Sequence, residues 1–127
     1  LDATKNIDAS AFNQGAQDYI NNLPISVSGH EKYYIAYYSQ GYDAARQGLL
    51  DARDGKSQSL PTFTPSANKA DPTYVNSSTI VAQFTTNLQN AYKLGYNSFK
   101  NDVTTGFSDS NNALANNQAA LTANDGN

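Results

Sequence analysis

Cysteine, methionine and tryptophan are all missing from this 127-residue chain, and it holds one histidine, His30, and one glutamate, Glu31. Without cysteine there is no disulfide framework and no thiolate metal site, and the sulfur chemistry that damages exposed proteins has no target. A hydrolytic triad would have to form around His30 with no cysteine nucleophile and no second histidine, so His30 reads as a loop residue ahead of a helix. Charge is also scarce: 15% of residues carry one, and the net charge is −3. Nothing in that balance supplies the basic patch that phosphate-backbone binding needs, which excludes nucleic acid as a partner. No apolar run reaches the roughly 18 residues of a membrane helix, so no span is expected. The chain opens on Leu1 rather than methionine, as a processed or excised segment would.

What remains is polarity without charge. Asn, Gln, Ser and Thr carry the solubility, hydrophobic residues make up 39%, and nine tyrosines dominate the aromatics. Such a composition, free of cysteine, suits a secreted or surface-exposed protein, and the extracellular reading is placed first.

One spacing recurs along the chain. Phe12, Gly15, Ala16 and Tyr19 set a glycine three residues after an aromatic, and so do Tyr38, Gly41, Tyr42 and Ala45, then Tyr92, Gly95, Tyr96 and Phe99. On a helix each set lies along one stripe. A glycine inside a helix costs about 1 kcal/mol against alanine, so Gly15, Gly41 and Gly95 are expected at helix crossings where a Cβ would collide.

Helix signals divide the chain accordingly. Asp8 or Ser10 caps a first helix near 8 to 22, which Leu23 and Pro24 end. Ser28 and Glu31 form a capping box for a second helix near 29 to 54, stopped by Asp54 and Gly55. In that helix Tyr34, Tyr38, Gly41, Ala45 and Gly48 share one arc. Residues 56–76 hold Pro61, Pro65 and Pro72, so they cross the helices as a loop, packed through Leu60, Phe63, Tyr74 and Val75. Ser77 or Ser78 caps a third helix near 78 to 104. The expected fold is mainly α: a small antiparallel three-helix bundle over 1–106, with an Asn/Ala-rich tail or linker at 107–127 that holds a short fourth helix as its alternative.

Catalytic patterns are not selected. Asp43, Asp51 and Asp54 lack the alternation of a calcium loop and read as solvated charges, and no carboxylate pair stands out for glycoside hydrolysis. No enzyme activity and no cofactor or metal is expected. Binding is better served, because five tyrosines between Tyr33 and Tyr42 cannot all face one helix partner. Tyrosine surfaces recognise sugars and peptides, which makes Tyr33, Tyr37, Tyr42 and Tyr74 the candidate ligand contacts.

The stretches Tyr37 to Gly48 and Ala91 to Phe99 resemble the Tyr-x-x-Gly-Tyr-x-x-Ala segments of extracellular proteins of lactobacilli and related lactic acid bacteria. The resemblance implies a secreted or wall-attached module of a Gram-positive surface protein, serving adhesion towards a host glycan, a matrix protein or a cell-wall polymer. It brings no catalytic residues. A structural spacer or oligomerisation module is the alternative, and a wall-polysaccharide hydrolase a more distant one.

Overall fold

A computed structural model describes residues 9–109, with side chains as far as Asn101. It is mainly helical, with α1 at Ser10–Ile20, α2 at Lys32–Arg53 and α3 at Ser78–Asp109, and no strand among the described residues. The three helices pack on one another in every pairwise combination. α3 runs past its expected end near 104 and on to Asp109, into the segment expected as a tail; the rest of that 107–127 segment, where a short fourth helix is the alternative, lies outside the described residues.

The helix ends follow local chemistry, with two corrections. At α1 the N-cap is Ala9, with no side-chain cap bond, in place of the expected Asp8 or Ser10. α1 and α2 both finish in a Schellman cap: the Leu23 amide donates to the Asp18 carbonyl and the Asn22 amide to that of Tyr19, while Lys56 donates to Asp51 and Gly55 to Ala52. The turning residues are Asn22 at φ 59° and Gly55 at φ 73°, the left-handed conformation such a cap demands. The Ser28–Glu31 capping box does not form. Gly29 takes φ +83° and the His30 amide closes a turn onto Val27, so the helix begins later, with Glu31 as an extended N-cap that makes no side-chain cap bond. At α3, Ser77 caps as expected through its hydroxyl, which accepts the Ile80 amide.

Each helix buries a stripe at three- and four-residue spacing, seen most fully in α2, where Tyr37, Tyr38, Gly41, Ala44, Ala45, Gly48, Leu49 and Ala52 are all buried. The glycines set how closely the backbones meet. A Cβ on Gly15 would overlap the Tyr38 carbonyl, and one on Gly41 the Phe12 carbonyl, so these two glycines face each other where α1 crosses α2. Gly48 and Gly95 repeat the arrangement where α2 crosses α3, against the carbonyls of Tyr92 and Ala45. The glycine stripe of the sequence is thus two reciprocal pairs, with Gly48 as the fourth member.

An aromatic cluster closes the other side. Phe12 stacks on Tyr37 with centroids 5.1 Å apart, and Phe84 meets both. Phe63, from the segment between α2 and α3, sets its edge against all three rings and is 2% exposed. Its amide donates to the Thr85 hydroxyl. Val75 is buried from the same segment, Tyr74 is half-buried, and Leu60 stays 41% exposed, so the segment is anchored at Phe63 and Val75 and not at Leu60. Asp71 organises the turn before Val75 by accepting from the amide and the hydroxyl of Thr73, bonds that hold its carboxyl below the usual range.

Candidate functional site

Two buried polar clusters of matching composition stand out among the described residues. In the first, the Tyr38 hydroxyl donates to one oxygen of Asp18 at 2.5 Å, the Gln14 amide donates to the other at 2.9 Å, and the Ser26 backbone amide donates to the Tyr38 oxygen at 3.1 Å. In the second, Tyr92 donates to Asp51 at 2.5 Å, Gln47 donates to the same carboxylate at 2.8 Å, and the Ser59 amide reaches the Tyr92 oxygen at 3.0 Å. Helical spacing places Gln and Asp four residues apart on one face, and the cap that follows turns the chain back over the tyrosine. A second hydroxyl fastens each returning strap: Tyr42 donates to the Leu23 carbonyl and Tyr96 to that of Lys56.

Burial decides what these clusters can do. Tyr38 and Tyr92 are closed to solvent, Asp18 and Asp51 almost so, and each carboxylate accepts from its tyrosine and its glutamine. The Tyr38 hydroxyl is pushed up to about 12, by burial first and then by the bond it donates to Asp18, and Tyr92 moves the same way for the same two reasons. A group whose proton is held this firmly, with no route for a substrate, holds helices together. Asp51, expected as a solvated charge, is instead a core acceptor, because the Schellman cap folds the chain over it.

The tyrosines expected to bind ligand fall in different places. Tyr37 is fully buried in the aromatic cluster, its hydroxyl donating to the Pro72 carbonyl, which removes it from any surface. Burial also pushes its hydroxyl up to about 12. Tyr33, Tyr42 and Tyr74 are half-buried, and Tyr42 sets its ring edge-on to Tyr19. None of them lines the cleft described below. His30 is exposed and stacks on Tyr34 with centroids 3.8 Å apart, a loop residue as the sequence implied. Among the described residues no group of three acidic or histidine side chains is placed to hold a metal ion, and no helix is long and apolar enough to cross a membrane.

A cleft that the sequence did not single out opens between α1 and α3. Its volume is about 560 Å3, and it is lined by Ile20 of α1 with Asn90, Lys93, Leu94, Asn97 and Asn101 of α3. The asparagines at 90, 97 and 101 recur at seven and four residues, so they form one row along the helix. Amide rows were readable in the sequence, but the aromatic–glycine spacing on the adjacent face of the same helix carried the stronger signal. No protein-family model, curated protein or solved structure matches this chain.

Proposed function

We propose that this chain is a non-catalytic module of an extracellular bacterial surface protein, serving adhesion through ligand binding. The α1–α3 cleft carries the proposal. Each asparagine in its row offers a donor and an acceptor, the pairing that suits sugar hydroxyl and acetamido groups, while Ile20 and Leu94 supply apolar contact for the ring faces. The uncharged composition and the resemblance to surface proteins of lactic acid bacteria support the setting. An antiparallel course of the helices, crossed by residues 56–76, belongs to the same reading and draws support from the burial of Phe63 and Val75.

The test is binding to immobilised host glycans, matrix proteins and purified wall polymers, with Asn97→Ala combined with Asn101→Ala as the cleft variant and Tyr33→Ala as the comparison. The expected result is a bound glycan or wall polymer whose retention falls with the cleft variant and not with Tyr33→Ala. Failure to bind any of them leaves a spacer. That second reading has its own support, since the buried carboxylates of α1 and α2 are spent on holding tyrosines and straps.

A further inference from the structure

We propose that the fold is a duplicated clasp: two copies of one helix–strap–helix unit that overlap in α2, each strap shut by its own tyrosine and able to open without the other. Gln14, Gly15 and Asp18 recur 33 residues later as Gln47, Gly48 and Asp51, with the same amide bond, the same glycine crossing and the same tyrosine partner. The left-handed residue after the helix recurs at that offset, Asn22 and Gly55, as does the strap amide on the tyrosine oxygen, Ser26 and Ser59. On the receiving side Tyr38, Gly41 and Tyr42 correspond to Tyr92, Gly95 and Tyr96. A chance likeness of two helix ends would not reproduce the cap, the buried acceptor, the reciprocal glycine and both strap bonds together.

α2 therefore plays two parts, receiver in its first half and giver in its second, about two turns apart. α1 only gives and α3 only receives: at the positions of α3 that match Gly48 and Asp51 stand Asp102 and Thr105. The two straps also serve as controls for each other. Every fold-holding contact they share is made by main-chain atoms, and where the first carries Leu23 and Ile25, half exposed, the second carries Lys56 and Gln58. Val27 apart, which packs against the core, the strap side chains are thus interchangeable as far as closure is concerned.

Amide hydrogen exchange at Ser26 and Ser59 tests both halves of the proposal. In Tyr92→Phe the Ser59 amide should exchange about tenfold faster while Ser26 stays within about twofold, and Tyr38→Phe should do the reverse, the loss expected of one bond to a charged cluster. Straps that loosen together in either variant, or that ignore both, would overturn independent closure. If a phenylalanine variant fails to fold, the strap exchange Asn22→Gly, Leu23→Lys, Pro24→Ser and Ile25→Gln keeps every cluster residue and the core-packed Val27. It should fold with Ser26 still protected, and loss of the fold or of that protection would sink the equivalence.

Discussion

The hydroxyl of Tyr92 donates to the carboxylate of Asp51, a residue 41 positions earlier in the chain, at 2.5 Å. Neither group would be tolerable in the interior alone, since a buried carboxylate needs donors and a buried phenol needs a partner. Together they tie α3 to the last turn of α2, and the strap amide of Ser59 completes the tyrosine's own needs. Hydrogen bonds to charged groups contribute about 1.5–3 kcal/mol each, so two such clusters are a large share of the margin by which a small domain is stable. The clusters also fix direction: apolar stripes alone allow helices to slide, whereas a tyrosine that must find one aspartate does not.

Gly41→Ala should destabilise the domain by roughly 2 kcal/mol or more, with Gly95→Ala behaving alike. The added methyl meets the Phe12 or Ala45 backbone carbonyl, which cannot swing aside as a side chain would, so the helices must separate. Overpacking costs about 1–3 kcal/mol, and with backbone in the way the upper end applies. Helix propensity returns about 1 kcal/mol to the alanine variants. Urea denaturation checks the sum; unchanged or raised stability would mean that the crossings are looser than their geometry.

The helices and the glycine crossings were legible because each rests on local periodicity: Phe12–Gly15, Tyr38–Gly41 and Tyr92–Gly95 share a spacing that only a close helix contact explains. The second pattern, Gln-Gly-x-x-Asp at Gln14 and Gln47, was equally present but was masked by the aromatics. Polar residues at helical spacing ordinarily signal a solvated face, and nothing local says that a Schellman cap will fold the chain back over Asp18 and Asp51. Tyr37 was misplaced for a similar reason. Its neighbour on the other side is Phe63, whose position depends on an irregular segment with no period to read. The cleft between Ile20 and Asn97 joins elements far apart in sequence, and its row of asparagines gains meaning only when α1 lies beside it.

Phe63→Ala should cost roughly 3–5 kcal/mol, the range for removing a large buried aromatic. The ring is the only one from outside the helices in the described aromatic cluster, touching Phe12, Tyr37 and Phe84. Leu60→Ala, at an exposed position in the same segment, should fall within about 0.5 kcal/mol of the parent chain. Thermal and urea unfolding of the pair would separate an anchored segment from a loosely draped one, since equal, small losses would show that Phe63 holds nothing.

Alkaline pH should unfold the domain well before ordinary surface chemistry does. Burial raises the hydroxyls of Tyr19, Tyr37, Tyr38 and Tyr92 in the folded state, Tyr37 and Tyr38 to about 12, against 10.0 when unperturbed. The folded chain therefore holds protons that the unfolded chain gives up, and stability falls with pH wherever that is so. The contribution is complete below pH 10, declines as pH rises above it, and is spent once the folded-state values near 12 are passed. Melting temperatures taken from pH 8 to 12 should be level at first and then drop, with the tyrosine ultraviolet titration showing a late, cooperative step as the buried rings ionise on unfolding. Tyr38→Phe and Tyr92→Phe, though less stable at neutral pH, should lose less between pH 10 and 12 than the parent chain; equal slopes would place the proton linkage elsewhere.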